Sequence, residues 1–103
     1  METSSHARAL AALGHDARLT VFRLLVRAGE DGLTVGEIRS HTRIAPSTLA
    51  HHLRTLVEAG LVTQTRQGRE VRTTVAFDAM RATLDFLTSE CCAGLGPVAD
   101  SAA

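Results

Sequence analysis

Apolar residues along the chain fall in short helical periods separated by polar or glycine punctuation. Leu10 and Leu13, set among Ala7, Ala9 and Ala12, predict a first helix over about residues 4–13, ended by Gly14. Asp16 is a residue type preferred for capping, and a second helix is expected to follow it to about Ala28. Ala17, Val21, Leu24, Leu25 and Ala28 make one apolar stripe of that helix, and Leu19, Phe22 and Val26 make another. A helix apolar on two sides packs on two sides, so this one is expected at the centre.

Beyond the turn Gly29-Glu30-Asp31-Gly32, the pattern Thr34-Val35-Gly36-Glu37 is a capping box. Its Thr hydroxyl and Glu carboxylate satisfy each other's backbone N–H groups and open a short third helix carrying Val35 and Ile38. Pro46 suits the first position of a fourth helix, predicted to run to about Ala59 and to stop at Gly60. Leu61–Arg66 and Glu70–Phe77 are rich in Val and Thr and read as two strands joined at Gln67-Gly68. Asp78 is expected to cap a last helix over residues 78–92. On it Phe77, Met80, Leu84, Leu87 and Cys91 recur every three or four residues, a seam for a partner helix. The predicted fold class is α+β, mostly helical: a winged helix-turn-helix of order α-α-α-α-β-β-α. Residues 1–93 form one domain and residues 94–103 a flexible tail.

The fourth helix has two distinct faces. At about 100° per residue, Leu49, Leu53, Leu56 and Val57 cluster on one side. Ser47, His51, Arg54 and Glu58 fall opposite, with Thr48 and Thr55 at the margin. Hydroxyls, an imidazole and a guanidinium are the groups that meet base edges in the major groove and the phosphates beside it. A solvated polar face alone would look the same. The short helix before it and the hairpin carrying Arg66 and Arg69 after it complete a helix-turn-helix arrangement. His52 lies beside the apolar stripe and is read as a packing or hydrogen-bonding residue.

Charge changes the picture only through its distribution. The 103 residues carry 11 basic and 11 acidic side chains, a net charge of zero. Residues 39–72, however, hold Arg39, Arg43, Arg54, Arg66, Arg69 and Arg72 against only Glu58 and Glu70. Both flanking stretches are net acidic, so the middle third forms a local anion-binding face. Every basic residue is arginine, whose planar fork suits phosphate and guanine. No apolar run is long enough for a membrane span or a signal peptide, so the expected compartment is the cytosol, where thiols stay reduced. An enzyme is not indicated: there is no phosphate-binding glycine loop, and nothing sets a histidine beside a cysteine.

With those residues in view, the chain resembles the arsenic-repressor (ArsR/SmtB) family. Leu13-Gly14-His15-Asp16-Ala17-Arg18-Leu19 looks like its opening signature, residues 47–62 like its recognition helix and the start of its wing, and Arg66-Gln67-Gly68-Arg69 like its wing tip. The resemblance covers about residues 6–93. It implies a homodimer formed by the first and last helices, repression of a palindromic double-stranded DNA operator, and release by a ligand. The DNA-contacting residues are then Ser47, Thr48, His51, Arg54, Arg66 and Arg69.

Family members differ in where that ligand sits. The third-helix cysteine site has no counterpart in Leu33-Thr34-Val35-Gly36-Glu37. The zinc-type site on paired last helices finds Asp78, Asp85 and Glu90 but no histidine, which serves a borderline metal poorly. What remains is the adjacent pair Cys91-Cys92, resembling the branch with C-terminal thiol ligands for trivalent arsenic or antimony. That branch often has a third cysteine, and here there are two in all. Arsenite favours three sulfurs, whereas a methylated or other organic trivalent arsenical needs two. No resident cofactor is implied, and the arsenical would be the inducer. Two other readings stay open. Cys91 continues the apolar seam and suits a packed thiol, while Cys92 lies about 100° off it. A redox switch would need a lowered thiolate pKa, against which Glu90 acts. For both sulfurs to hold one atom, the helix end must loosen, which Gly94 and Gly96 permit.

Overall fold

The computed structural model describes residues 2–98. In chain order it contains α1 (Glu2–Leu13), α2 (Asp16–Ala28), a 3-10 turn (Gly29–Asp31), β1 (Leu33–Thr34), α3 (Val35–Thr42), α4 (Pro46–Glu58), β2 (Val62–Gln67), β3 (Glu70–Val75) and α5 (Phe77–Thr88). The three strands form one antiparallel sheet in the order β1-β3-β2. This is the expected winged helix-turn-helix, with β1 as an unforeseen third strand.

The core gathers Val21, Phe22 and Leu25 of α2, Ile38 of α3, and Leu49, Leu53 and Leu56 of α4. Ala9 and Ala12 of α1 close it from one side, and Leu61, Val62 and Val75 from the sheet. Helix α2 is central as predicted, but its second stripe is only partly covered: Phe22 is buried, Val26 half-buried, and Leu19 exposed.

Local chemistry explains most boundaries. The capping box is formed: the Thr34 N–H donates to Glu37 Oε1 at 2.8 Å, and the Glu37 N–H donates to Thr34 Oγ1 at 3.2 Å. That backbone donor is the main reason the Glu37 carboxyl sits below its ordinary pKa. Pro46 is at the first position of α4. After α4 the Gly60 and Leu61 N–H groups donate to Val57 and Leu56 carbonyls, which closes the helix.

Four expectations are corrected. Asp16 and Asp78 are not caps: His15 and Ala76 hold those positions, and the carboxylates lie in the first turns, where they favour the helix dipole instead. The hairpin loop is Gly68-Arg69, since Gln67 still pairs with Glu70. Gly68 at φ 64° supplies the positive φ that a II′ turn needs first. Residues 76 and 77 belong to the start of α5, not to a strand. Lastly, α5 ends at Thr88 rather than 92. The Ser89 hydroxyl donates to the Phe86 carbonyl at 2.8 Å and that of Thr88 to Leu84 and Asp85, local bonds that compete with helical ones. Of the predicted tail, residues 94–98 are exposed without regular structure, and 99–103 lie outside the described residues.

Candidate nucleic-acid interface and thiol pair

Burial of Leu49, Leu53 and Leu56 fixes the rotation of α4, and Ser47, Thr48, His51 and Arg54 are consequently exposed together. Arg66 on β2 and Arg69 in the loop are exposed on the wing. Among the described residues, the side chains of Arg39, Arg43, Arg54, Arg66 and Arg69 have no hydrogen-bond or ion-pair partner. Five guanidiniums are thus presented without an internal use. Arg72 differs: it donates to the Gln67 side chain at 3.0 Å and to the Asp31 carbonyl at 2.9 Å, and so ties the wing to the 3-10 turn. Charge counting grouped it with the others; the fold spends it on structure. Arg39 on α3 and Arg43, in the turn at φ 60°, join the exposed set. Their only sequence signal was membership of the basic middle third.

Behind the polar face sits His52, 4% exposed. Arg18 Nε donates to its Nδ1 at 3.4 Å, while Arg18 Nη1 donates to the Ala12 carbonyl at 3.1 Å. The rings of His15 and His51 lie 5.0 and 5.7 Å from it. Its pKa falls below the ordinary value, first because of burial, then because of the Arg18 charge, then His15 and His51. The unfolded chain therefore takes up this proton more readily than the folded one. Stability from this site is present above the unfolded pKa of about 6.5 and is lost as pH falls from there toward the lower folded value. Denaturant melts between about pH 7 and pH 5 should show a shallower loss of stability for His52→Gln than for wild type. Equal slopes would mean that His52 stays neutral for no energetic reason.

Cys91 and Cys92 follow α5 in two successive turns, closed by N–H donation from Cys91 to Thr88 O and from Ala93 to Glu90 O. Neither lies on the helix, so the expected seam position of Cys91 and the offset of Cys92 do not arise. Both are exposed and not joined in a disulfide. Glu90 and Cys92 adopt left-handed backbone (φ 61° and 62°), and the two Sγ atoms stand 3.4 Å apart. Among the described residues no group of three or more His, Cys, Asp or Glu side chains is arranged to hold a metal ion.

The face of α5 toward α1 is small and satisfied. His6 Nδ1 and Thr83 Oγ1 are 2.8 Å apart, and His6 stacks on Phe86 at 4.5 Å. The stripe read from sequence is divided: Phe77 and Met80 are half-buried against the core, and only Leu84 and Leu87, 54% and 56% exposed, are left uncovered on the helix. No helix is long and apolar enough to cross a membrane among the described residues.

A protein family described as a helix-turn-helix domain matches residues 13–65, just over half of the chain and the whole segment from α2 into the wing. A Halobacterium salinarum protein assigned by name to the arsenical resistance operon as its repressor, ArsR, is 37% identical over 78 residues, 74% of this chain. The chain belongs to the ArsR/SmtB family of winged helix-turn-helix transcriptional regulators. The match spans 60% of that relative's length. HlyU from Vibrio cholerae N16961 superposes with a TM-score of 0.70 at 26% identity, covering 87% of this chain and 95% of that one. A structure titled as a possible transcriptional regulator for arsenical resistance gives 0.68 at 28% identity over 79% and 81%. An ArsR-like regulator from Rhodococcus sp. RHA1 gives 0.73 at 24% identity over 82% and 77%, and carries the fold alone. The similar proteins are regulators and not enzymes.

Proposed function

We propose that this ArsR-family chain is a homodimeric repressor that binds a palindromic operator and is released by a trivalent arsenical held at Cys91 and Cys92. The observation that carries the DNA half is the exposed row Ser47, His51 and Arg54 on α4 beside a wing tipped with Arg66 and Arg69, whose three guanidiniums have no internal partner among the described residues. In this reading α4 enters the major groove, where Ser47, Thr48, His51 and Arg54 meet bases and phosphates, and the wing arginines reach the neighbouring minor groove or its phosphates. The uncovered Leu84 and Leu87, with Leu10 of α1, supply the apolar seam for a second copy. A dimer sets two α4 helices at half-site spacing.

The sulfur geometry supports the inducer. With bonds of the zinc–thiolate length, about 2.3 Å, sulfurs 3.4 Å apart subtend about 95° at a shared atom. That is narrower than a tetrahedral angle and suits a pyramidal centre with a lone pair. An organic trivalent arsenical, R–As(OH)2, would exchange both hydroxides for thiolate sulfur: each thiol proton leaves with a hydroxide as water, and arsenic stays trivalent. Arsenite would keep one hydroxide in place of a third sulfur. The same sulfur contact favours one second reading, a reversible disulfide switch formed by a peroxide-class oxidant.

The DNA half is tested by the salt dependence of binding. Wild type should lose affinity steeply as salt rises, because phosphate contacts release counterions. Arg66→Gln and Arg69→Gln should each lower the slope by about 1. Arg54→Ala should cost about 1–3 kcal/mol and relax sequence preference. Binding indifferent to salt and to all three changes would sink the reading.

A further inference from the structure

Between α4, the start of α3 and the wing runs a groove of ≈ 410 Å³ whose floor is apolar: Val35, Ala50, Leu53, Val57 and Val71. Arg39 and Arg54 flank it, Gln64 of β2 stands on the wing side, and no acidic side chain lines it. Both arginines are exposed without a partner among the described residues. Val57 is the odd residue: the three leucines of its helix are buried, whereas it is 39% exposed and lines this groove.

We infer that this groove seats the sugar-phosphate backbone of one DNA strand, with Arg39 on a phosphate at one rim, the base-reading Arg54 at the other, and Val57, Ala50 and Val71 against the apolar edges of the deoxyribose between them. The inference rests on the DNA-binding reading above. Two features favour a DNA strand over other occupants. One rim of the groove, Arg54, belongs to the base-reading face, and the other is the wing. A strand passing from the major groove under α4 to the minor groove at the wing must cross the space between them. The charge is also complementary along the whole groove: cations on the rim, no carboxylate, and an apolar strip where a sugar has no charge to satisfy. Val57 and Arg39 would then contribute affinity without sequence information.

Hydroxyl-radical footprinting tests this, because cleavage reports how exposed each deoxyribose is. The full chain is used with a duplex selected from random sequence by the wild-type protein. One or two adjacent sugars on one strand, between the bases covered by α4 and the wing contact, should be protected. Arg39→Gln and Val57→Ser should each re-expose them and weaken binding about three- to ten-fold on selected and random duplexes alike. Arg39→Gln should lower the salt slope by about 1, and Val57→Ser should not. The thermal melt of free Arg39→Gln should match wild type, since that side chain is exposed without a partner, and Val57→Ser, whose side chain is partly covered, should melt somewhat lower but cooperatively. Open sugars at that position in the wild-type complex, or a changed sequence preference for Val57→Ser, would overturn the inference. So would octanoate binding to the free protein, abolished by Val57→Ser, with the sugars left open, since the groove would then serve a small amphipathic anion. Absence of salt-dependent binding by wild type would instead overturn the DNA-binding reading itself.

Discussion

Cys91→Ser with Cys92→Ser is expected to leave DNA affinity within about two-fold of wild type and to abolish release by a trivalent arsenical. Allosteric coupling typically amounts to about 1–3 kcal/mol, so wild type should lose about 5- to 150-fold in DNA affinity when methylarsenite is added. The double variant should lose none. Stability should hardly change, because both thiols are exposed and touch chiefly each other. Each single variant keeps one sulfur and should respond weakly at best, since one monodentate thiolate is readily displaced. Arsenite, methylarsenite, antimonite, zinc and peroxide are compared by DNA titration. Continued release of the double variant by methylarsenite would remove the sensor assignment. Release by peroxide alone, reversed by a dithiol reductant, would assign the pair to redox switching. A third cysteine being absent, methylarsenite should act at lower concentration than arsenite.

Gly32→Ala is expected to be the most destabilising small change in the molecule. Gly32 is buried at φ 64° and ψ −161°, a region open essentially to glycine. A Cβ there would also overlap the Thr73 carbonyl oxygen and the Thr74 methyl group of β3. Backbone strain of about 1–3 kcal/mol and overpacking of about 1–3 kcal/mol together predict a loss of roughly 4 kcal/mol. For a domain of this size that lowers Tm by roughly 15 °C or more. Gly29 provides the control: its backbone is nearly the same (φ 76°, ψ −154°), yet a Cβ there meets nothing within 4 Å. The difference between Gly29→Ala and Gly32→Ala, melted at equal protein concentration, isolates the collision with β3. Equal losses would mean that the sheet does not press on Gly32.

The same close approach shows why β1 was not legible in the sequence. Leu33-Thr34 is two residues long and carries no period. It becomes a strand only because β3 offers an edge to it, in the register Leu33↔Thr73 and Thr34↔Arg72. The length of α5 misled for the opposite reason. The three-and-four spacing continues to Cys91, but periodicity shows where apolar groups would align, not whether the backbone keeps turning. The hydroxyl of Ser89 was the available signal: at the helix end it and the Ser89 N–H both donate to the Phe86 carbonyl.

Residues of the exposed polar and cationic face divide in the same manner. Ser47, His51 and Arg54 were readable because Leu49, Leu53 and Leu56 dictate which side of one helix is inward. Arg39 and Arg72 were equivalent by charge. Distance along the chain says nothing of Asp31 and Gly32, whose carbonyls take up Arg72, or of the groove that leaves Arg39 at its rim.

Local sequence therefore determined the helices α1 to α4, the capping box, the hairpin and the two faces of α4, since each follows from contacts within a few residues. Tertiary structure alone decided the third strand, the structural use of Arg72, the choice of Arg18 as the partner of the buried His52 and the exposed pairing of the two sulfurs. Those depend on which distant backbone groups come within hydrogen-bonding or van der Waals reach, and no periodicity along one segment encodes that.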